Sequence, residues 1–254
     1  MRILVTNDDG IHASGLETLE GIARSLSDDV WVVAPESDQS GVSHSLSLND
    51  PLRLRQISQT RFAVKGTPSD CVIMGVRYIL KDHGPDLVLS GVNRGQNVAE
   101  DVTYSGTIAA AMEGTILNVR SIALSQAYGA GGRGAIKWAC AATHGAGVIR
   151  KILEIGIEPG IVVNVNFPDC EPDEVVGIAV AAQGVRNQAL LAIDARQDGR
   201  GNPYFWLAFA KARFEPGNGT DLKAIAENRI SVTPLRLDLT DEPTLTRFAQ
   251  GFAA

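Results

Sequence analysis

The chain has few cysteines and no long apolar run, and each absence excludes a class of protein. Its three cysteines, Cys71, Cys140 and Cys170, are odd in number, widely spaced and outside any CxxC motif. This pattern argues against a disulfide framework or a zinc site and favours reduced thiols. No segment approaches the roughly 18 consecutive apolar residues of a membrane span, and the first residues lack the character of a signal peptide. We therefore expect a cytoplasmic protein that makes no membrane contact.

Positive charge is also scarce. The 254 residues include 23 Lys and Arg against 29 Asp and Glu, a net charge of −6, whereas nucleic-acid-binding surfaces carry a basic stripe. No nucleic-acid polymer is therefore expected as a partner. A small phosphorylated substrate still fits this balance, because a bound metal supplies local positive charge. With 44% hydrophobic and 20% charged residues, the chain is long and apolar enough to form an ordinary globular core.

Strand-like and helix-like segments alternate through the first half of the chain. Unbroken apolar runs are typical of strands buried on both faces, as in a parallel sheet. The predicted strands are Ile3–Thr6, Val30–Ala34, Arg61–Lys65, Asp86–Ser90 and Ser121–Ser125, and helices are predicted over Leu16–Leu26, from Thr67 onward and over Ile108–Leu117. This βαβ alternation predicts an α/β fold with a Rossmann-like, doubly wound, mostly parallel sheet.

The second half is less regular and contains a predicted β-hairpin. Its strands, Gln188–Ile193 and Tyr204–Ala210, flank a turn over Asp194–Pro203 that is rich in Gly, Asp and Arg, and we expect the pair to project from the sheet. Its aromatic residues pack either on another subunit or on the parent domain. The other predicted elements are a helix over Ala135–Ile155, strands over Ile161–Phe167, Val175–Ala182 and Ile230–Leu239, and a short helix over Leu245–Phe252.

Two adjacent carboxylates directly follow the first predicted strand. The apolar run ending at Thr6 continues into Asn7, Asp8, Asp9 and Gly10, and ligands of parallel sheets bind beyond the carboxyl ends of the strands. The alternative is an ordinary solvated turn. Because neighbouring carboxylates repel each other, we favour a divalent cation held between them by oxygen ligands.

Two further polar loops supply neutral oxygens for such a site. Ser40 follows the strand Val30–Ala34, and Asn93 follows Asp86–Ser90. Two carboxylates and two neutral ligands would leave positions for water and for a phosphate oxygen, an arrangement that suits hydrolysis by a metal-activated water.

The segment from Tyr104 to Thr107 directly precedes the alanine-rich helix. Ser105, Gly106 and Thr107 at a helix start present unpaired backbone N–H groups to an anion, and the helix dipole favours negative charge there. A plain N-cap is the alternative interpretation. Beside a metal site, the same segment is predicted to hold phosphate.

Other motifs were weighed against this site. The run Gly129–Gly134 fits G-x-G-x-x-G, but Glu154, twenty residues on, lies in a predicted helix and not at a strand end, so we interpret the run as a structural loop. His12 and His44 lie in the site loops; proton transfer is one role open to them, and we favour packing in the loops or support of the site residues. No acid stands two residues after Asp8, which argues against a D-x-D phosphatase that forms an aspartyl-phosphate.

Taken together, these segments closely resemble the SurE family of metal-dependent nucleotidases, also called stationary-phase survival proteins. The resemblance covers nearly the whole chain in order. It rests on the segments Asn7–Ala13, Ala34–Pro35 with Ser40–Gly41, Gly66–Cys71, Ser90–Asn93 with Gly95 and Asn97, Asp101–Thr107 with the helix through Gly114, Asn164–Asn166 with Pro168, Gly219–Asp221, and Ser231–Leu235 with Asp238.

The resemblance implies a hydrolase that releases phosphate from nucleoside 5'- and 3'-monophosphates, with short polyphosphate as a further substrate to test. It implies one Mg²⁺ or Mn²⁺ per subunit, held by Asp8, Asp9, Ser40 and Asn93. It also implies phosphate contacts from Asn97, Ser105, Gly106 and Thr107, and a catalytic set of Asp8, Asp9, Asn97, Ser105 and Thr107. The non-enzyme alternative is a metal-dependent nucleotide- or phosphate-binding module without turnover.

The resemblance also implies a homodimer or homotetramer built with a projecting hairpin and an exchanged C-terminal segment. We predict a single domain over residues 1–254, with the core sheet and active site in 1–128 and completing strands in 129–254. The hairpin is placed at about 185–212 and the exchanged segment at about 230–254. Three positions depart from the family's pattern: Ser14 replaces a proline, Ala99 a glycine, and Asn228-Arg229 a Gly-Tyr pair.

Overall fold

The structure, a computed structural model, describes residues 1–129, 131–186, 191–209 and 215–253. The strands are β1 (Ile3–Thr6), β2 (Val30–Pro35), β3 (Arg53–Ser58), β4 (Arg61–Lys65), β5 (Leu87–Arg94), β6 (Arg120–Gln126), β7 (Ile161–Phe167), β8 (Gly177–Val180), β9 (Leu191–Gln197), β10 (Pro203–Phe209) and β11 (Arg229–Arg236). The α-helices are α1 (Ser14–Arg24), α2 (Pro68–Met74), α3 (Asp101–Tyr104), α4 (Gly106–Ile116), α5 (Trp138–Ile155), α6 (Asp221–Ala226) and α7 (Glu242–Phe252).

The main sheet has nine strands in the order β3-β4-β2-β1-β5-β6-β7-β11-β8. From β4 to β7 neighbouring strands run parallel, while β3 and β11 are antiparallel to β4 and β7. The chain winds from β1 towards β2 and β4, then returns to add β5 on the other side of β1. The predicted doubly wound, mostly parallel sheet is therefore confirmed, and its topological switch point lies between β1 and β5.

Both faces of the sheet are buried, which explains why the strand sequences do not alternate. Ile3 and Val5 of β1 pack in the apolar cluster on the side of α1 and α5. Leu4 packs in the cluster on the side of α2 and α4. Helix α4 approaches the sheet closely at Gly114, where an added Cβ would lie 2.4 Å from Ser121 Oγ. Gly114 thus allows the last turn of α4 to pack closely on the first residues of β5 and β6.

Several predicted boundaries were wrong. The hairpin turn does not begin at Asp194, because β9 continues to Gln197 and pairs with β10. Both strands of the hairpin lie in an exposed two-stranded ribbon, where charged residues fit as well as apolar ones, so polarity did not mark the turn. Of the hairpin predicted at about 185–212, residues 187–190 and 210–212 lie outside the described residues. Strand β3 and helix α6 were not predicted, since β3 is mostly exposed and polar.

The hairpin and the C-terminal helix carry exposed apolar side chains. Phe205, Trp206 and Leu207 are 63%, 59% and 72% exposed, and no residue of α7 is buried. The projecting hairpin is thus present, while exchange of the C-terminal segment between subunits stays a prediction. Among the residues described, no helix combines the length and apolarity needed to cross a membrane.

Candidate functional site

The two predicted carboxylates lie at the switch point of the sheet. Asp8 and Asp9 follow β1 in a loop closed by Asn7, whose Nδ2 donates to the Gly10 carbonyl at 3.0 Å and whose Oδ1 accepts from the Gly10 N–H at 3.3 Å. Gly10 has a φ of 102°, a left-handed conformation that favours glycine. The turn directs the carboxylates towards the last residues of β5.

Asp9 is bound to the end of β5. The Arg94 backbone N–H donates to Asp9 Oδ2 at 3.0 Å, and Arg94 Nη2 lies 3.4 Å from Asp9 Oδ1 and 3.2 Å from Asp38 Oδ2. Burial raises the pKa of Asp9, and the bonds from Arg94 oppose that rise. Arg94 and Asp38 lie in two of the polar segments predicted for this edge of the sheet, but they were not among the predicted site residues, because sequence spacing did not show which side chains would meet Asp9.

Asp8 contacts the start of α4. Thr107 Oγ1 donates to Asp8 Oδ1 at 2.6 Å, and Asp8 is 4% exposed. Burial raises the pKa of Asp8 to about 7, the Thr107 hydrogen bond opposes this, and the negative charge of Asp9 adds to it. Gly106 is required for the approach, since an added Cβ would lie 2.8 Å from Asp8 Cβ. Asp8, one of the two carboxylates predicted to bind a cation, is therefore in direct contact with a helix N-terminus.

The two predicted neutral ligands are tied to the same loops. The backbone N–H of Gln39, next to Ser40, donates to the Asp8 carbonyl at 2.8 Å. Ser40 Oγ donates to Asp38 Oδ1 at 2.6 Å and keeps lone pairs for a cation. Asn93 Nδ2 donates to the Gly95 carbonyl at 2.8 Å, so its Oδ1 is the atom that can ligate.

This donor set fits a hard divalent cation. Two crowded, desolvated carboxylates together with hydroxyl and amide oxygens are the ligands that Mg²⁺ and Mn²⁺ prefer. Across the described residues no cluster of three or more His, Cys, Asp or Glu is arranged to hold a metal. A bound cation would therefore depend on the neutral oxygens of Ser40 and Asn93 as well as on the carboxylates.

The sequence left two interpretations of the start of α4 open, a plain N-cap and an anion-binding site, and the structure is compatible with both. Ser105 Oγ accepts from the Ile108 N–H at 3.1 Å, which makes it the N-cap. Its own hydroxyl proton can still be donated to an anion. Thr107 differs from the prediction in one respect: its single hydroxyl proton is donated to Asp8, so its backbone N–H is the group that an anion would contact.

Asn97 lies in the loop after β5 and is 6% exposed. Its Nδ2 donates to Ser125 Oγ at the end of β6 at 2.9 Å. The next residue but one, Ala99, has a φ of 54°, which accounts for the glycine usual at this position. Its N–H donates to Asp221 Oδ2 and its carbonyl accepts from Gln183 Nε2, both at 2.9 Å. These two hydrogen bonds thus hold the loop in place despite the unfavourable φ of Ala99.

A cleft of about 570 Å³ opens beside Asp9. Its lining includes the His12 imidazole, the Arg94 guanidinium and the Trp138 indole. His44, by contrast, packs against α4, with Nε2 2.9 Å from Glu113 Oε2. Glu154 lies in α5, as the interpretation of Gly129–Gly134 as a structural loop requires. Asp9 therefore has space beside it for a group much larger than phosphate.

The fold and the position of the site define a doubly wound α/β protein with its ligand site at the topological switch point. Comparison with known proteins then identifies the family. A family model described as Survival protein SurE matches residues 3–189, and the chain belongs to the SurE family. The resemblance seen in the sequence is confirmed.

Relatives match along their whole length. The chain is 88% identical to the 5'-nucleotidase SurE of Methylobacterium radiotolerans, with all of both chains covered. It is 69% identical to the 5'-nucleotidase SurE of Methylocella silvestris over 99% of each chain. The crystal structure of the SurE protein from Aquifex aeolicus is similar with a TM-score of 0.85 and 40% identity, covering 97% of this chain and 98% of that one.

Proposed function

We propose that the chain is a phosphomonoesterase that hydrolyses nucleoside 5'-monophosphates, and also 3'-monophosphates, to nucleoside and phosphate with one divalent cation per subunit. The observation that carries the proposal is the 2.6 Å hydrogen bond from Thr107 to Asp8. It joins a carboxylate suited to a cation with a helix N-terminus suited to phosphate. The names of the relatives, 5'-nucleotidase SurE, support nucleoside monophosphates as the substrate class.

The cation would be held by Asp8, Asp9, Ser40 and Asn93. A divalent cation there supplies Lewis-acid polarisation of the phosphate and an acidified water as nucleophile. The carboxylates provide the negative charge that retains the ion, and their burial makes that attraction stronger than in water.

The phosphoryl oxygens would be bound by Asn97, Ser105 and the backbone N–H groups of Gly106 and Thr107. These donors are fixed before the substrate binds, so they stabilise the charge of the transition state without reorganisation. The nucleoside would occupy the cleft beside Asp9, where Trp138 offers an aromatic face and Arg94 a cation. Subunits would associate as a dimer or tetramer through the hairpin and α7, in the cytoplasm.

The experiment is phosphate release from a panel of 5'- and 3'-nucleoside monophosphates and a short polyphosphate. Each is assayed with EDTA and then with Mg²⁺ or Mn²⁺ restored. We expect hydrolysis that EDTA abolishes and metal restores. Metal-dependent nucleotide binding without release under any condition would contradict the proposal and favour the binding-module alternative.

A further inference from the structure

Asn97 is presented by a loop that has no regular secondary structure of its own. Residues 95–100 connect β5 to α3, and their backbone polar groups are largely buried. Buried N–H and C=O groups need hydrogen-bond partners, and in this loop the partners are side chains from distant parts of the sequence. The geometry of Asn97 therefore depends on residues outside the site described above.

Two asparagines of β7 hold the backbone of Asn97. The Asn97 N–H donates to Asn166 Oδ1 at 2.8 Å. The Asn97 carbonyl accepts from Asn164 Nδ2 at 2.8 Å and from Asn166 Nδ2 at 3.2 Å. Asn166 Nδ2 also lies 3.2 Å from Asn164 Oδ1, which links the two amides. Both asparagines are fully buried.

A third residue sets the side chain of Asn97. Ser125, also fully buried, accepts from Asn97 Nδ2 at 2.9 Å. One side-chain amide proton of Asn97 is thus committed to Ser125, and the other proton and Oδ1 remain available as donor and acceptor. The backbone and the side chain of Asn97 are consequently fixed by separate groups on adjacent strands, β7 and β6.

The choice of asparagine has a chemical reason. Binding the N–H and C=O of one residue requires an acceptor and a donor side by side, and a carboxamide supplies both. Positions 164 and 166 lie two apart on a strand, so their side chains share one face. Full burial of polar amides on a strand is costly unless they are hydrogen-bonded, and here the bonds converge on one loop residue.

We propose that Asn164, Asn166 and Ser125 are positioning residues for phosphate hydrolysis, holding Asn97 where its amide meets the phosphoryl group. The inference rests on the proposed function, in which Asn97 contacts phosphate. An error of about 1 Å in the position of such a group costs up to about 100-fold in rate. Substitutions of Asn164, Asn166 or Ser125 should therefore affect turnover although these residues do not touch the substrate.

The test uses Asn164→Asp, Asn166→Asp and Ser125→Ala, with Thr233→Val as the matched control. Thr233 is 2% exposed and lies on β11 directly opposite Asn164, but its side chain makes no hydrogen bond to Asn97. An aspartate is isosteric with asparagine but donates to the Asn97 carbonyl only when protonated. We measure kcat and KM from pH 6 to 9 with saturating Mg²⁺, each variant relative to wild type. We also measure hydrogen exchange of the backbone N–H of Asn97.

We expect Asn164→Asp and Asn166→Asp to lose at least about tenfold in kcat/KM at pH 9 and to recover towards wild type at pH 6. Asn166→Ala, added for the exchange measurement because it removes Asn166 Oδ1, the acceptor of the Asn97 backbone N–H, should make that N–H exchange faster. Ser125→Ala, a small change that preserves the fold if the aspartates do not, should lose kcat at every pH with Asn97 exchange unchanged. Thr233→Val should stay within about twofold throughout.

Two results would overturn the inference. One is that Asn164→Asp, Asn166→Asp and Ser125→Ala all have the same kcat and KM as Thr233→Val at every pH. The other is that the Asn97 backbone N–H exchanges as in wild type in Asn166→Ala, which lacks its acceptor. If wild type itself released no phosphate with any metal, the proposed function would fail, and the exchange measurement would still decide whether these residues hold Asn97.

Discussion

At the scale of single residues, the buried carboxylate of Asp8 lowers the stability of the fold at neutral pH. Its pKa is raised from 3.8 to about 7, first by burial. Between these two values the folded protein holds a proton that the unfolded chain has released. Stability contributed by this group is therefore lost as pH rises from about 4 to 7 and stays lost above 7. A divalent cation bound to Asp8 would offset that loss.

Replacing Asp8 with Asn is expected to separate stability from activity. In EDTA at pH 8 the variant should be more stable than wild type by about 2 to 4 kcal/mol, because no buried charge remains. The advantage should shrink at pH 5, where wild-type Asp8 is protonated. With Mg²⁺, turnover should fall at least about 100-fold, because a ligand of the cation is lost. Urea unfolding at both pH values and phosphate release measure these effects.

The control for this experiment is Asp82→Asn, which removes an exposed carboxylate that precedes the start of β5, at the opposite end of that strand from Asn93 and Arg94. It should change neither the pH dependence of stability nor turnover. An Asp8→Asn protein that is less stable than wild type at pH 8 in EDTA would contradict the assignment of Asp8 as a desolvated charge.

At the scale of elements, α4 links the site to the sheet at both of its ends. Its N-cap is Ser105 and its first turn contains Gly106 and Thr107; after its last residue, Ile116, and the C-cap Leu117 comes Asn118, an exposed residue with a φ of 61°. The next N–H, from Val119, donates to the Gly114 carbonyl at 2.9 Å and closes the helix. A left-handed residue at this point is the common way for a helix to stop.

Substitutions at Asn118 test this helix end. Asn118→Gly should raise the free energy of unfolding by up to about 0.5 kcal/mol, and Asn118→Ala should lower it by about 1 kcal/mol, because only alanine is strained at positive φ. The two variants control for each other, since both remove the same exposed side chain. Equal stabilities in urea unfolding would show that the backbone conformation, as assigned, is not what terminates α4.

The elements also show where local patterns suffice. Strands β4 and β7 match their predicted bounds because both are short apolar runs in a buried sheet. Helix α5 begins at Trp138, three residues after the predicted start. Within residues 192–207 of the hairpin no side chain is buried, and its turn was misplaced because without burial the period-2 pattern carries little information.

At the scale of the whole molecule, the C-terminal end of the described chain exposes several large apolar side chains. Leu239, Phe248 and Phe252 are 90%, 56% and 89% exposed. Large exposed apolar patches mark interaction surfaces. Together with the hairpin, this surface supports the proposal that a second copy of the chain covers it.

Charged substitutions on α7 should therefore shift the oligomeric state. We expect Leu245→Glu with Phe248→Glu to lower the molar mass measured by light scattering, without changing the secondary structure. Ile155→Glu, at the exposed end of α5 and 75% exposed in the wild type, is the matched control and should leave the mass unchanged. If the α7 variant kept the wild-type mass, α7 would not be part of the subunit interface.

The sequence by itself determined which polar residues the site contains and at which edge of the sheet they lie. Unbroken apolar runs followed by polar loops predicted the parallel sheet and placed Asp8, Asp9, Asn93 and the start of α4 at one edge, because strand periodicity and helix capping are local properties.

Only the tertiary structure decided which atoms meet. Thr107 donates to Asp8 across 99 residues, and Asn166 holds Asn97 across 69. Arg94 bridges Asp9 and Asp38 in the same way. No local pattern encodes such contacts, because they arise from the order in which strands join the sheet and from the burial that makes each unpaired polar group costly.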